Sequence, residues 1–166
     1  MEIAIVPVLT EEDARAKAFV HWKTWQAAYA GLVPDSYLFD PSFPERCVKI
    51  ALAIRDNNLL AKIGDQAVGF AAYGEYRGED LPDTAELDAL YVLPEYWGHG
   101  IGYALMNAAA EKLADYRRIA LWVLEGNERA IRFYERYGFR FDGAERTLKL
   151  GEPRTARRMI LERTRD

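Results

Sequence analysis

The chain has 166 residues, of which 50% are hydrophobic and 29% charged. A chain of this size buries about 70% of its surface on folding, and its 4 Trp, 10 Tyr and 7 Phe residues supply the apolar surface that disordered segments lack. One domain over residues 1–166 is therefore expected. No apolar stretch approaches the roughly 20 residues that cross a bilayer, and the first residues have no secretory signal pattern, so we expect a cytoplasmic protein without a membrane partner.

The net charge of −4 argues against nucleic acid as a partner, because no overall positive field would attract phosphates. The charge is unevenly divided, with 9 basic and 18 acidic residues in 1–116 and 13 basic and 8 acidic residues in 117–166. Surfaces of opposite sign suit two ligands of different charge. The single cysteine, Cys47, excludes an internal disulfide and a cysteine zinc cluster, and no metal site is expected.

The first half of the chain predicts two helices and three strands. Thr10 and Asp13 have the spacing of a capping box, in which side chain and backbone bond each other at a helix start. Ser42 and Glu45 repeat this spacing before a second helix. The predicted elements are a strand at residues 2–8, helices at about 10–29 and 44–55, and a hairpin of residues 59–63 and 67–73.

The second half predicts a strand at 85–93, a helix at 101–115, a strand at 118–124, a helix at 127–137 and strands at 139–150 and 156–162. The strand at 85–93 is apolar on both faces in its second half, which predicts cover on both sides. The strand–helix–strand order predicts a parallel crossover. The expected fold is α/β, with a mixed, mostly antiparallel twisted sheet of about seven strands, a central parallel crossover and about four flanking helices.

A glycine-rich loop, WGHGIG at residues 97–102, separates a predicted buried strand from a helix. Glycines allow a ligand close to the backbone, and the amides at a helix start attract anions, so we predict a phosphate or pyrophosphate site here. A dinucleotide-binding loop would need glycine where Tyr103 stands, and a phosphate-binding GK[ST] tripeptide is absent. A tight loop without a ligand stays open as an alternative.

Two motifs together resemble the GCN5-related N-acetyltransferases. One is the strand ELDALYVLP at residues 86–94 with the loop that follows it, which is similar to the family's coenzyme A signature [QR]-x-x-G-x-[GA]. The other is Asn127, Ala130, Phe133-Tyr134-Glu135 and Gly138-Phe139, similar to the family pattern N-x-x-A-x-x-F-Y-x-x-x-G-F. The resemblance covers about residues 84–142, and Trp97 departs from it where Gln or Arg is usual. It implies the acyl-CoA N-acyltransferase fold, acetyl-CoA as cosubstrate and an amine acceptor.

The resemblance also implies which residues bind the cofactor. Backbone amides of the strand would polarise the thioester carbonyl and pair with the pantetheine arm, and the loop amides would hold the pyrophosphate. Asn127, an expected helix N-cap, would contact the arm or a water. Three arginines of the same helix are candidates for the 3′-phosphate, namely Arg129, Arg132 and Arg136, although a solvated position is the stronger alternative for Arg136. The expected cofactor-binding residues are Leu90, Tyr91, Val92, Trp97, Gly98, His99, Gly100, Ile101, Gly102, Asn127, Arg129 and Arg132.

Acetyl transfer needs an acid for the leaving thiolate and a base for the amine. Tyr134 is the expected acid, because a phenol with a pKa of about 10 can protonate a thiolate whose pKa is about 8.5; a packed core tyrosine is the alternative. Glu86 is the expected base, acting through water, since strand alternation would place it with Asp88 on the face of Leu90 and Val92. Alternatively both acids are solvated, or a water chain replaces the base.

Aromatic residues interleaved with the acidic stretch 75–88 predict a site for a cationic acceptor, through cation–π and Coulomb attraction. A small amine such as a polyamine is the expected acceptor, although core packing also explains the aromatic stripe. A protein or peptide acceptor and a non-catalytic acetyl-CoA sensor stay open, as does a homodimer. The expected substrate-binding residues are Trp22, Trp25, Tyr29, Tyr73 and Asp88.

Overall fold

A computed structural model describes residues 1–163. Its strands are β1 (Ala4–Pro7), β2 (Asn58–Ile63), β3 (Gln66–Glu75), β4 (Thr84–Val92), β5 (Arg118–Leu124), β6 (Arg140–Lys149) and β7 (Pro153–Glu162). Its α-helices are α1 (Glu11–Ala28), α2 (Asp35–Leu38), α3 (Phe43–Ala53), α4 (Ile101–Lys112) and α5 (Glu128–Tyr137). The strands form one sheet in the order β1-β2-β3-β4-β5-β7-β6. Among the seven strands of residues 1–163, only the β4–β5 pair is parallel, which confirms the predicted mixed sheet with a central crossover.

The helices cover both faces of this sheet. Ala18 of α1 and Cys47 of α3 share one buried core with Phe70, whereas Leu105 of α4 and Tyr134 of α5 belong to a core on the other face. Hydrophobic burial on both faces is what holds the two helical layers on the sheet. Among residues 1–163, no helix combines the length and apolar character needed to cross a bilayer.

The predicted cap of α1 is confirmed and that of α3 is wrong. Thr10 Oγ1 accepts a hydrogen bond from the Asp13 amide at 3.0 Å, and Asp13 Oδ2 accepts one from the Thr10 amide at 3.1 Å. Ser42 instead donates from its hydroxyl to Asp40 at 2.7 Å, so a turn before α3 takes the side chain that a capping box would use. The short helix α2 was not predicted, because a single turn shows no periodicity.

The parallel pair β4–β5 separates after three residue pairs. The ladder runs from Thr84–Arg118 to Glu86–Ala120, while β5 continues to pair with β7 as far as Leu124. The second half of β4 therefore has a free edge that borders a cleft. Its residues 90–92 are half-buried, with Leu90 and Val92 packed against the core on the α4 side and Tyr91 against the core under α1, so the predicted cover on both sides is confirmed.

β4 also contains a β-bulge. Leu87 pairs with Tyr73 of β3 and Ala89 pairs with Ala72, so Asp88 between them has no partner residue in the ladder. A bulge inserts one residue, bends the strand and re-aims the side chains next to it. The alternation of β4 side chains between the two faces of the sheet is therefore interrupted at Asp88.

The bulge decides which side chains of β4 face α4. Leu87 before the bulge and Leu90 and Val92 after it all pack into the core on the α4 side. Glu86 precedes Leu87 and so faces the opposite side. The prediction that Glu86 shares a face with Leu90 and Val92 is wrong, because strict alternation does not continue across an extra residue.

Candidate active site

The free edge of β4, the glycine loop, α4 and α5 enclose a cavity of about 530 Å³. Tyr91, His99, Asn127 and Arg132 do not line it. Asn127 instead caps α5, its side-chain oxygen accepting from the Ala130 amide at 3.4 Å, as the sequence predicts. The expected cofactor-binding residues that do line this cavity are Leu90, Val92, Trp97, Gly98, Gly100, Ile101, Gly102 and Arg129.

The glycine loop presents backbone to this cavity. Gly98 and Gly100 have φ angles of 82° and 80°, a conformation that favours glycine, and a Cβ added to either would have no neighbour within 4 Å. The first amides of α4, which begins at Ile101, have no acceptor inside the helix. An open backbone surface at a helix N-terminus fits the pyrophosphate of coenzyme A.

Trp97 joins the free edge of β4 to α5. Its indole Nε1 donates a hydrogen bond to the Val92 carbonyl at 2.7 Å, and the Arg129 guanidinium lies over its ring at 3.7 Å from the centroid. Partial burial lowers the pKa of Arg129 from its ordinary value. Trp97, which stands where the motif has Gln or Arg, thus positions the Arg129 guanidinium in the wall of the cavity.

A smaller cavity of about 90 Å³ lies on the α1 side of the same cleft. It is lined by residues of α1, β4, β5 and α5, including Tyr29, Asp88 and Tyr91. The two cavities therefore adjoin along one wall. The residues common to both are Leu90, Val92, Trp97, Arg129, Ala130 and Tyr134.

Tyr134 is the ionisable phenol of this common wall. Its residue surface is 9% exposed, and its ring packs edge-on against Phe133 and Phe139 at centroid distances of 5.4 and 5.6 Å. Burial, and to a smaller extent Tyr91, raises the pKa of Tyr134 well above its ordinary value. The phenol is therefore protonated across the physiological pH range.

Asp88, and not Glu86, is the carboxylate that lines the smaller cavity. Nη2 of Arg77 contacts both acids, at 2.8 Å from Glu86 and 3.0 Å from Asp88. Glu86 is only 3% exposed, so it is neither solvated nor open to the cavity. Burial raises the pKa of Asp88 to about 6, against the opposing effect of Arg77 and with a further increase from Glu86.

The expected acceptor residues fall into two groups. Tyr29 and Asp88 line the smaller cavity. Trp22 and Trp25 pack beside the core under α1, and Tyr73 lies in the core on the α4 side, so core packing explains these three. The stripe of helical spacing on α1 therefore predicts mainly burial, and Tyr73 packs into the core on the α4 side.

Three of the six acids in the stretch 75–88 pair with arginines. Asp80 pairs with Arg158 at 2.7 Å, and Asp142 pairs with the same guanidinium at 2.6 Å, while Arg77 neutralises the acids of β4. These pairings were not visible in the sequence, because they join residues far apart in the chain. Asp88 remains the acidic group that borders the smaller cavity.

Sequence reasoning missed Thr24 and Trp122, which also line the smaller cavity. Thr24 lies on the buried stripe of α1, a signal that was present but did not distinguish it from core residues. Trp122 reaches the cavity because β5 separates from β4, and no local pattern marks that separation. Residues 1–163 contain no group of three or more His, Cys, Asp or Glu residues that could hold a metal ion.

A comparison with protein families identifies the family. The family model described as "Acetyltransferase (GNAT) family" matches residues 19–139, which include the glycine loop, the bulged strand and α5. The chain belongs to the GNAT acetyltransferase family. It is accordingly an acetyl-CoA-dependent N-acetyltransferase, with the acyl-CoA N-acyltransferase fold that the sequence motifs imply.

Individual relatives agree with this assignment. The chain is 30% identical over 142 residues to a Mycobacterium tuberculosis protein named as a probable N-acetyltransferase, covering 80% of this chain and 77% of that one. It is 38% identical over 82 residues to a spermine/spermidine N(1)-acetyltransferase of Bacillus subtilis, covering 46% and 54%. A Thermoplasma acidophilum N-acetyltransferase in complex with coenzyme A has the same fold, with a TM-score of 0.75, 22% identity and coverage of 98% and 100%.

Proposed function

We propose that this GNAT enzyme, as a single domain over residues 1–166, acetylates the primary amine of a small cationic molecule such as a polyamine. The observation that carries the proposal is the wall common to the two cavities, where Tyr134 adjoins both the coenzyme A side and the side that holds Asp88. A carboxylate beside a small cavity attracts an ammonium group. The similarity to a spermine/spermidine acetyltransferase over part of the chain favours a polyamine.

The free edge of β4 is the proposed binding surface for the pantetheine arm. The Leu93 amide donates to Val68 of β3 at 2.8 Å, so the polar groups of Val92, one residue earlier, point to the other side. By the same alternation Leu90 also turns its N–H and C=O toward the cleft. The N–H and C=O of Leu90 and the N–H of Val92 can pair with the amides of the arm and with the thioester oxygen, whereas the Val92 carbonyl accepts from the Trp97 indole. The loop amides hold the pyrophosphate.

In the proposed reaction the bound ammonium first releases one proton to solvent, and the neutral amine then attacks the thioester carbonyl, so that a C–N bond forms and the C–S bond breaks. The departing thiolate takes the phenolic proton of Tyr134, the second amine proton passes to Asp88 directly or through water, and that proton then returns through water to the Tyr134 phenolate. Burial raises the pKa of a thiol as it raises that of the phenol. The pKa values of the two groups therefore shift in the same direction, which keeps proton transfer between them feasible. Glu86, the expected base, takes no proton in this proposal. It pairs with Arg77, which also pairs with Asp88, and so affects the charge around Asp88.

The test measures free thiol released from acetyl-CoA with polyamines, aminosugars, amino acids and peptides. Tyr134→Phe should lower kcat by about 10²-fold or more, as expected for loss of a general acid, and leave the Kd of coenzyme A unchanged. Tyr116→Phe, away from both cavities, is the matched control. Unchanged turnover in Tyr134→Phe would reject the acid, and acetylation of peptides alone would reject the small acceptor. A coenzyme A complex without turnover on any acceptor would indicate a sensor.

A further inference from the structure

Thr24 has a buried hydroxyl that the fold does not use. Thr24 is 2% exposed, and its Oγ1 has no hydrogen-bond partner among residues 1–163. A threonine inside a helix commonly bonds a carbonyl three or four residues earlier, and Thr24 does not. Leaving such a group unpaired costs about 1–3 kcal/mol. A hydroxyl kept at this cost points to a ligand.

The position of Thr24 indicates which ligand. Thr24 lies on α1 and Asp88 lies on β4, and both line the cavity of about 90 Å³ that adjoins Tyr134. Threonine in a helix occupies two χ1 rotamers, so its hydroxyl can turn toward the cavity without a change of the backbone. The cavity then offers two oxygen acceptors from opposite elements, which suits a nitrogen that carries several hydrogens.

We infer that Thr24 binds the acceptor nitrogen together with Asp88 and that this pair selects an unbranched primary amine, R–CH₂–NH₃⁺. This inference rests on the proposed function. The hydroxyl oxygen of Thr24 accepts one N–H, and the carboxylate of Asp88 accepts another. The third N–H and the carbon chain are the remaining substituents of the nitrogen, and the carbon chain leaves the cavity toward solvent.

The size and charge of the cavity set the substrate class. Its volume of about 90 Å³ equals that of about three water molecules at roughly 30 Å³ each, enough for an aminomethyl end. An α-amino acid would place a branch and a carboxylate beside Asp88, where both bulk and like charge oppose binding. A secondary ammonium keeps two N–H groups for the two oxygens, but its second carbon substituent would have to fit in the same cavity of about 90 Å³.

The test compares Thr24→Val, which keeps the shape and removes the hydroxyl, with Thr24→Ser, which keeps the hydroxyl. Loss of one hydrogen bond to a charged group should raise the KM for a diamine about tenfold or more. The Kd of coenzyme A should not change, and Tm should not fall, because no paired group is lost. Thr24→Ser should restore the wild-type KM, and Thr155→Val, outside both cavities, is the matched control.

Three results would overturn the inference. They are a wild-type KM in Thr24→Val, a Thr24→Ser enzyme that behaves like Thr24→Val, and a wild-type enzyme that acetylates α-amino acids as efficiently as diamines. If Thr24→Val does not fold, Thr24→Ala gives the same comparison with Thr24→Ser. Wild-type turnover with any small amine establishes the proposed function separately, whereas wild-type enzyme without turnover would reject the proposed function and the inference with it.

Discussion

The Arg129 guanidinium stacks on the Trp97 indole at 3.7 Å from the ring centroid, across the cleft from β4 to α5. A cation–π pair of this kind contributes about 1 kcal/mol or more when it is partly shielded from water. The indole is itself held by its hydrogen bond to Val92. The tryptophan therefore fixes an arginine in the wall of the larger cavity, where a phosphate of coenzyme A can pair with it.

Removal of the tryptophan should therefore weaken coenzyme A binding through Arg129. Trp97→Ala should raise the Kd of coenzyme A about tenfold, which corresponds to about 1.4 kcal/mol, and Trp97→Phe, which keeps a ring under Arg129, should raise it less. Titration calorimetry measures both. Arg129→Met should reproduce the loss, whereas Arg132→Met, outside the cavity, should not. Equal losses in the two arginine variants would contradict the role of Trp97.

Gly100 and Gly102 should respond differently to alanine. Gly100 has a φ of 80°, so Gly100→Ala should lower the free energy of unfolding by about 1–2 kcal/mol and crowd the bound pyrophosphate. A Cβ on Gly102 would lie 3.5 Å from the Phe133 ring, an ordinary contact, so Gly102→Ala should leave stability nearly unchanged. Urea unfolding and coenzyme A titration measure the two effects, and similar stability losses in both variants would contradict the assignment.

Local patterns in the sequence predicted most of the fold. The caps at Thr10 and Asn127 depend on contacts within four residues, and the structure confirms both. The glycine loop likewise combines short-range spacing with an open backbone. Features that depend on contacts between distant segments were missed, above all the separation of β4 from β5 and the bulge at Asp88. The bulge alone moved Glu86 away from the face that alternation predicts.

The candidate site shows the same division. The residues that line the larger cavity lie mostly in two sequence motifs, so the resemblance could locate them. The smaller cavity takes Thr24 from α1, Asp88 from β4 and Trp122 from β5, and only the tertiary structure brings these together. Charge pairing over distance, as between Arg158 and Asp80, also could not be read from composition, although it neutralises part of the acidic stretch.

Asp88 should impose a pH dependence on acetylation. Its pKa of about 6 means that the carboxylate is charged above that pH, so kcat/KM for an amine should rise as the pH increases through about 6. Arg77 and Arg146 of β6 lower the pKa of Asp88, and Glu86 raises it. Lys17 of α1 also interacts electrostatically with Asp88.

Two variants test whether Asp88 causes this rise of kcat/KM with pH, the acid limb of the pH profile. Asp88→Asn should abolish it, because no carboxylate remains to ionise. Arg77→Met should move it to higher pH, because loss of the positive charge raises the pKa of Asp88. Initial rates of thiol release from pH 5 to 8 measure both. A limb that persists in Asp88→Asn, or that moves to lower pH in Arg77→Met, would assign the titration to another group.

His21 should make the fold less stable in acid. Its ring lies among aromatic rings, 5.8 Å from Phe70 and 6.0 Å from Tyr91 between centroids, and burial, with a smaller contribution from Lys17, lowers its pKa to about 4. In the unfolded chain the pKa is about 6.5. Between these two pKa values His21 is protonated in the unfolded chain and neutral in the folded protein. The contribution of the neutral ring to the free energy of unfolding is therefore complete above pH 6.5 and decreases as the pH falls toward 4.

The size of this effect follows from the pKa difference. At about 1.4 kcal/mol per pKa unit, the free energy of unfolding should fall by about 3 kcal/mol between pH 7 and 4 through His21 alone. His21→Phe should reduce the dependence by that amount in urea unfolding across this range. His99→Gln, on the exposed glycine loop, should leave it unchanged. Stability curves of His21→Phe and wild type that stay parallel from pH 7 to 4 would mean that the folded protein accepts the proton on His21.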